Sequence, residues 1–236
     1  MVTRKISDIE AIAFDIDGTL YPAWKLTISI IPFFIRNVRF MNAFGKTRRI
    51  LHQHSISDPD KALPNFFELQ SELLATYLNA DAGKIRTFLE EKVYKGWEKT
   101  FLRMKPYPFA KEAITQLKAA GFKIGILSDF PPQQKGDVWG ILPLCDAAIN
   151  SETEGALKPS HIPFKRLAHA LHTPCERILY VGNSKAYDVA GAAAVGMKTA
   201  YIEHPVVSAL SSLLGKSGPY ADISFSNYRQ FLNYVL

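Results

Sequence analysis

The sequence predicts an α/β fold, in which a parallel sheet is flanked by helices. Two observations support this class. Short apolar segments of strand length recur along the chain, and after about residue 105 they alternate with segments whose apolar residues have helical spacing. Such alternation is typical of parallel strands joined by helices. A long helical stretch over residues 22–104 interrupts the alternation after the first strand.

Six segments are predicted to be strands. They are EAIAFDI (10–16), FKIGILS (122–128), DAAINS (146–151), RILYVGN (177–183), MKTAYIE (197–203) and ADISFS (221–226). The helices predicted between and after them are PFAKEAITQLKAAG, HIPFKRLAHALH, KAYDVAGAAAVG and NYRQFLNYVL. The first of these helices is expected to end at Gly121, because glycine is common just after a helix C-terminus.

The stretch over residues 22–104 reads as an inserted helical domain. NFFELQSELLATYLNA and AGKIRTFLEEKVYKGWEKTFL have apolar residues at helical spacing. The preceding TISIIPFFIRNVRFMNAFGKTRRILHQ is also predicted to be helical, with breaks near Pro32 and Gly45. The predicted organisation is therefore an α/β core made of residues 1–21 and 105–236, with a helical cap domain over residues 22–104.

Composition favours a soluble globular enzyme. Hydrophobic residues make up 47% and charged residues 21% of the 236 residues, as in ordinary globular proteins. The two cysteines exclude a disulfide framework. Acidic residues precede any apolar stretch at the N-terminus, which excludes a signal peptide, and the run LTISIIPFFI is too short to span a bilayer. A cytoplasmic location is expected.

The net charge of +6 is concentrated in one segment. No acidic residue occurs from Gly18 to Ser57. The basic residues of this segment are Lys25, Arg36, Arg39, Lys46, Arg48 and Arg49. This charge could attract an anionic substrate, form a solvated basic face, or attach the cap to an anionic membrane surface. No nucleic-acid partner is expected. The apolar side chains of Trp24, Phe33 and Phe34 in the same segment could line the substrate pocket, although packing between cap and core is the expected use.

Reactive residues follow the predicted strands. Asp15 and Asp17 end the first strand, Ser128 ends the second, and Lys158 follows the third. Ligands of parallel sheets bind beyond the carboxyl ends of the strands, so these side chains are expected to meet. Two carboxylates held so close repel each other unless a metal ion, a phosphate or a shared proton compensates. The set suits Mg²⁺ and a phosphate group, and Asp15 is placed to act as a nucleophile.

The fourth strand adds an amide and another carboxylate. Asn183 lies at its end, and Asp188 follows five residues later. Together, IAFDIDGTL, GILSD, LKPS and VGNSKAYDVAGAAAVGM resemble, in order and spacing, the four motifs of the haloacid dehalogenase-like hydrolase superfamily. The helical stretch resembles the cap that some members insert between the first and second motifs. The resemblance implies a Rossmann-like core with that cap.

The resemblance also implies a role for each motif residue. Asp15 attacks phosphorus and binds Mg²⁺ through its other oxygen. Asp17 protonates the leaving alkoxide and then activates water, and its backbone carbonyl touches the metal. Ser128 holds the transferring phosphoryl group, Lys158 neutralises charge, and Asp188 helps to hold the metal. Phosphoryl transfer depends mainly on such positioning and charge stabilisation.

Asn183 departs from the family pattern. Members usually have an acidic metal ligand at this position, whereas an asparagine carbonyl brings no charge. Weaker Mg²⁺ binding is expected, with a larger contribution from Asp188. A second unusual residue is Asp129, which is expected to face a backbone N–H group or a helix N-terminus, or to pair with Lys135.

The function expected from these residues is a Mg²⁺-dependent phosphatase that hydrolyses a small phosphate monoester through an aspartyl phosphate on Asp15. Two alternatives remain open. One is a 2-haloacid dehalogenase, against which Asp17 argues because halide leaves without a proton. The other is a catalytically weak or inactive member that binds a phospho-ligand, a membrane or a protein. The sequence identifies neither the substrate, nor the cap residue that reaches it, nor the oligomeric state.

Overall fold

A single parallel sheet organises the chain in the computed structural model, which describes residues 6–203 and 220–236. The strands are β1 (Ala11–Phe14), β2 (Lys123–Ser128), β3 (Ala147–Asn150), β4 (Ile178–Gly182), β5 (Lys198–Ile202) and β6 (Ile223–Phe225). Their order in the sheet is β3-β2-β1-β4-β5-β6, and every neighbouring pair is parallel. The predicted α/β class and all six predicted strands are confirmed.

Helices connect the strands and flank the sheet. Between β1 and β2 lie α1 (Ala23–Ser29), α2 (Ile31–Arg36), α3 (Val38–Ser57), α4 (Phe66–Leu78), α5 (Ala82–Phe88), α6 (Glu98–Leu102) and α7 (Ala110–Ala119). The later helices are α8 (His161–Ala170), α9 (Ala190–Ala194) and α10 (Tyr228–Val235). A π-helical turn over Leu89–Tyr94 continues α5, and another over Lys185–Val189 leads into α9. The first six helices occupy the stretch expected to form the cap; the division into core and cap stays a prediction.

Alternate residues of β1 build the two sides of the core. Ile12 and Phe14 point to one face, where Phe14 lies 6.1 Å from Phe231 of α10 between ring centroids. Ala11 and Ala13 point to the other face, which is covered by residues of α8 and α9. All four side chains of β1 are fully buried, as expected for a central parallel strand.

The predicted helix breaks are only partly right. The breaks fall at Ile30 and Asn37. Pro32 lies in the first turn of α2, where its missing N–H has no intrahelical partner to lose. Gly45 lies inside α3, so the predicted break there is wrong. An exposed glycine costs a helix only about 1 kcal/mol, and the packing of the rest of α3 outweighs that cost.

The three aromatic side chains expected between cap and core differ in their surroundings. Phe33 packs against Phe40 and Trp97, with ring centroids 6.4 and 5.9 Å away. Trp24 is 61% exposed and Phe34 is 40% exposed. Trp24 and Phe34 are thus exposed, and the ring contacts of Phe33 lie within residues 22–104; packing of these side chains between cap and core stays a prediction for Phe33 only. Within the described ranges, no helix combines the length and the hydropathy that a membrane crossing requires.

Hydrogen bonds join the end of α3 to the loop that carries Lys158. Ser55 Oγ accepts from the N–H of Leu157 at 3.1 Å, and His52 Nδ1 lies 2.8 Å from the carbonyl oxygen of Lys158. The carbonyl oxygen of Pro59 accepts from Ser160 Oγ at 2.6 Å and from the N–H of His161 at 2.8 Å. The loop is thus held by the helical stretch as well as by the sheet.

The C-terminal helix supports the turn after β1, which gives a first prediction. Tyr228 is fully buried, and its hydroxyl donates to the carbonyl oxygen of Thr19 at 2.8 Å. Replacing Tyr228 with Phe leaves that carbonyl without its donor, so the free energy of unfolding should fall by about 1–2 kcal/mol. Urea denaturation measures the change. Tyr234→Phe on the same helix is the control, and equal losses in both variants would contradict the role of this hydrogen bond.

Candidate active site

The carboxyl ends of β2, β1 and β4 lie side by side, since these strands are neighbours in the sheet. After β1 the chain forms β2 and β3 on one side of β1 in the sheet, and it then crosses to form β4 on the other side. This change of direction creates a crevice at the carboxyl ends of the strands, of the kind where α/β proteins bind ligands. Asp15 follows β1, Ser128 ends β2, and Asn183 follows β4. The structure therefore brings the predicted strand-end residues together at one edge.

An ammonium group between two buried carboxylates forms the centre of the site. Lys158 Nζ lies 2.7 Å from Asp15 Oδ1 and 2.6 Å from Asp188 Oδ1. None of the three side chains is more than 5% exposed. Burial alone would lower the pKa of Lys158, but the two carboxylates outweigh it and raise this pKa well above its ordinary value. The lysine is therefore a permanent positive charge at the crevice.

The Asp15 carboxyl has a raised pKa. Burial, reinforced by repulsion from Asp188 and Asp17, outweighs the attraction of Lys158 and raises the pKa of Asp15 to about 7. The second oxygen, Oδ2, accepts a hydrogen bond of 2.8 Å from Thr19 Oγ1. The two oxygens of Asp15 thus have different partners, which orients the carboxylate.

Asp188 shapes the turn after β4. Its Oδ2 accepts from the backbone N–H groups of Asn183 at 3.1 Å and Ser184 at 2.9 Å, while Oδ1 contacts Lys158. Both carboxylate oxygens therefore have donors in this structure. These contacts hold Asn183 beside Asp15; the role of Asp188 in holding a metal stays a prediction.

The side-chain amide of Asn183 faces a group of oxygens. One terminal atom of this amide lies 3.3 Å from Asp15 Oδ2, 3.2 Å from Thr19 Oγ1 and 3.1 Å from the carbonyl oxygen of Asp17. With its NH₂ group turned toward them, the amide donates to all three; with its oxygen turned toward them, the cluster needs a cation. Gly18 permits this approach, because it has a φ of +95° and a Cβ there would lie 2.2 Å from the Asn183 amide nitrogen.

Asp17 lies at the mouth of the crevice, with its side chain 27% exposed. Tyr21 donates its hydroxyl to Asp17 Oδ1 at 2.5 Å, and Lys135 Nζ lies 3.2 Å from Oδ2. The Lys135 side chain is fully buried, with its ammonium 4.7 Å from the centre of the Phe101 ring. Pairing of Lys135 with Asp129 is one of the arrangements that the sequence leaves open for Asp129; the lysine pairs with Asp17 instead.

Asp129 contacts a backbone N–H, which is one of the expected arrangements. Its Oδ1 accepts from the N–H of Lys158 at 3.1 Å, and its Oδ2 lies 3.8 Å from His52 Nε2. Burial would raise the pKa of Asp129, but nearby positive charge, chiefly that of Lys158, lowers it. The hydroxyl oxygen of the preceding residue, Ser128, is buried and has no hydrogen-bond partner among the described residues. A ligand oxygen could supply that partner.

One face of α3 closes the crevice. Phe44, Arg48 and His52 are four residues apart, share that face and line the same pocket as Asp15 and Asp17. The guanidinium of Arg48 forms an ion pair with the fully buried carboxylate of Glu152. Although burial works to lower the pKa of Arg48, Glu152 outweighs it and raises this pKa. Of the six basic residues in the acid-free segment, Arg48 is the one that lines this pocket with Asp15, and its spacing from Phe44 and His52 was the available signal.

The donors at this edge are of mixed type. In the two ranges that the structure describes, no group of three or more His, Cys, Asp or Glu side chains is arranged to hold a metal ion. The oxygens that face one another come instead from one carboxylate, one hydroxyl, one backbone carbonyl and one amide. Such hard oxygen donors suit Mg²⁺ in kind, but they carry little charge.

Comparison with known proteins finds phosphatases and a dehalogenase among the proteins that are similar to this chain. The chain is 38% identical to a phosphoglycolate phosphatase of Cereibacter sphaeroides over 97 residues, which cover 40% of this chain and 43% of that protein. A glyceraldehyde 3-phosphate phosphatase of Pyrococcus furiosus is 26% identical, with 97% of this chain and 89% of that protein covered. The solved L-2-haloacid dehalogenase of Xanthobacter autotrophicus shares the fold with a TM-score of 0.63 and 18% identity, over 95% of this chain and 97% of that one.

A family model supplies the decisive match. The model of the haloacid dehalogenase-like hydrolases matches residues 9–196, which include all four motifs and most of the chain. The parallel sheet and the residues gathered at its carboxyl edge agree with that match, and the chain therefore belongs to the haloacid dehalogenase-like hydrolase family.

Proposed function

We propose that the chain is a phosphoric monoester hydrolase that acts on a small phosphate ester. The observation that carries this proposal is the pairing of two carboxylates of different surroundings in one crevice. Asp15 is buried against Lys158, and Asp17 lies at the mouth beside Tyr21 and Lys135. A buried carboxylate next to a fixed cation suits attack on an anionic phosphoryl group, and a partly exposed second acid suits proton transfer.

Hydrolysis proceeds in two steps in this proposal. A carboxylate oxygen of Asp15 forms a bond to phosphorus as the ester P–O bond breaks, and Asp17 gives a proton to the leaving alkoxide. Asp17 then takes a proton from water, whose oxygen attacks phosphorus and breaks the bond to Asp15, releasing phosphate. Lys158 stabilises the negative charge in both steps, and the unpartnered hydroxyl of Ser128 binds a phosphoryl oxygen.

Mg²⁺ belongs to the proposal as the cofactor. Asp15 Oδ2, the Asp17 carbonyl oxygen and the Asn183 amide oxygen would hold it, once the amide turns its oxygen inward. When bound, the ion supplies positive charge against the phosphate oxygens. Asn183 adds no charge, so binding should be weaker than with an aspartate. Asp188 would contribute by fixing the backbone N–H of Asn183, since donors already contact both of its oxygens.

The relatives support a small substrate. The two phosphatases compared above are named for phosphate monoesters of three carbons or fewer. The helical stretch over residues 22–104, as the proposed cap, would shield such a substrate from water through Phe44, Arg48 and His52. Arg48 is the proposed contact for the part of the substrate beyond the phosphate, because it lines the pocket from the cap side.

A dehalogenase is the second candidate, because solved dehalogenases share the fold. Asp17 argues against it, since a halide leaves without a proton. The third possibility is a weak or inactive binder of a phosphate compound, which Asn183 favours. The assays below distinguish all three.

Replacing Asp15 with Asn should abolish hydrolysis of p-nitrophenyl phosphate. The amide is a poor nucleophile, so kcat/KM should fall by at least about a thousandfold. Colorimetric assay with and without Mg²⁺ measures the loss, with exposed Asp8→Asn as the matched control. Chloride release from 2-chloropropionate by the wild type would favour the dehalogenase, and silence with both substrates would favour the inactive binder.

Replacing Asp17 with Asn should act selectively on poor leaving groups. An alkyl phosphate needs a proton on its leaving oxygen, whereas p-nitrophenolate does not. We expect kcat/KM for an alkyl phosphate to fall by about 10²–10⁴-fold, with a much smaller fall for p-nitrophenyl phosphate. Equal losses for the two esters would rule out Asp17 as the general acid.

Replacing Asn183 with Asp tests the metal site without relying on activity. The new carboxylate faces oxygens of Asp15 and Asp17, so without Mg²⁺ the variant should melt at a lower temperature than the wild type. Added Mg²⁺ should raise its Tm more than that of the wild type and should bind about tenfold or more tightly by calorimetry. Asn227→Asp, at the N-cap of α10, is the control. A Tm indifferent to Mg²⁺ in both proteins would remove the ion from the proposal.

A further inference from the structure

The first helices of the inserted stretch carry a line of exposed apolar side chains. Five residues, which we name the outer stripe, follow one another at spacings of four, three, four and three. They are Trp24, Ile28, Ile31, Ile35 and Val38, with exposed fractions of 61, 56, 45, 69 and 44%. Trp24 and Ile28 lie one turn apart on α1, Ile31 and Ile35 lie one turn apart on α2, and Val38 begins α3. Neither α1 nor α2 has a buried residue.

The outer stripe is not needed for packing of the fold. A separate set of side chains on the same helices, namely Leu26, Ile30 and Phe33, packs against the hydrophobic core. It continues with the buried Phe40 at the start of α3. The segment is therefore apolar on two sides, and only one of them meets the protein. A helix that is apolar on its outward side indicates a surface for another partner.

Positive charge surrounds the outer stripe. One surface depression is lined by Trp24 and Ile28 together with Lys25, Arg103 and Lys105. A second is lined by Ile35 and Val38 together with Arg36 and Arg39. Neither depression has an acidic residue among its lining side chains. The nearby α6 carries one acidic and one basic residue, Glu98 and Lys99, so it adds no net charge.

We infer that the outer stripe and its basic rim dock on an anionic lipid membrane surface. Apolar side chains and an exposed tryptophan suit the boundary between headgroups and acyl chains, and flanking arginines and lysines suit anionic headgroups. A second copy of the chain fits this face poorly. It would bring a segment with no acidic residue from Gly18 to Ser57 against the same basic segment. This inference does not depend on the proposed phosphatase activity.

Vesicle co-sedimentation of the full chain tests the docking. Vesicles of equal parts phosphatidylcholine and phosphatidylglycerol should pellet the protein at low salt, whereas pure phosphatidylcholine vesicles should leave most of it in solution. Raising the salt concentration should weaken binding, because the Debye length shortens. Equal pelleting with both vesicles, or none with either, would overturn the inference.

Matched variants separate the stripe from the rest of the surface. Ile28→Ser combined with Ile35→Ser should lower the partition coefficient by at least about tenfold. Ile50→Ser combined with Ile56→Ser, at exposed positions of α3 outside the stripe, should leave it unchanged. Arg36→Gln should lower the partition coefficient about fivefold, whereas Lys198→Gln, at the exposed start of β5, should leave it unchanged. All four positions of the serine pairs are exposed, so folding should be preserved.

Trp24 provides a direct probe. The other two tryptophans are sheltered, since Trp97 is 6% exposed and Trp139 donates its ring N–H to the carbonyl oxygen of Met104. Brominated anionic lipids should quench the fluorescence of the wild type but hardly that of Trp24→Phe. Light scattering tests whether a second copy of the chain covers the outer stripe instead. If the protein forms a dimer that the Ile28→Ser, Ile35→Ser pair dissociates, and does not bind vesicles, the stripe is a dimer interface. That result would overturn the membrane inference.

Discussion

The contact of the Lys158 ammonium with the carboxylates of Asp15 and Asp188 is the interaction on which the site depends. Burying two carboxylates side by side would be strongly unfavourable without a cation between them. Lys158 supplies it from a loop far along the chain from β1, and it thereby ties the loop to the ends of β1 and β4. Burial, together with the crowding of carboxylates, raises the pKa of Asp15, and Lys158 offsets this only in part.

The position of that lysine depends in turn on the inserted helices. The loop around Lys158 donates hydrogen bonds to Ser55 and Pro59 and forms another with His52. The neighbouring Glu152 pairs with Arg48. The sheet alone therefore does not complete the site. Removing one member of the Arg48–Glu152 pair would leave a buried charge without a partner, which typically costs about 3–5 kcal/mol. The helical stretch is therefore a structural part of this edge of the sheet.

Sequence reasoning predicts correctly the site residues whose position follows from strand topology. Asp15, Ser128 and Asn183 could be predicted to meet, because the carboxyl ends of parallel strands share one edge. The pairing of Lys135 with Asp17 could not, because it depends on how the loop after β2 folds against Phe101. Gly45 was misread for a related reason: local helix propensity is weak, and the packing of α3 on both sides of the glycine decides the conformation. The exposure of Trp24 also depends on tertiary packing, which leaves its side of α1 uncovered.

The uninterrupted length of α3 has a consequence for communication within the molecule. A helix of 20 residues is about 30 Å long. Val38 of the outer stripe begins it, Arg48 in its middle lines the pocket that contains Asp15, and Ser55 near its end accepts a hydrogen bond from the backbone beside Lys158. One continuous helix therefore joins the outer stripe, the pocket and the loop of Lys158. Thermodynamic reciprocity then requires that, if surface attachment shifts α3 and alters ligand affinity, ligand binding alters attachment by the same factor.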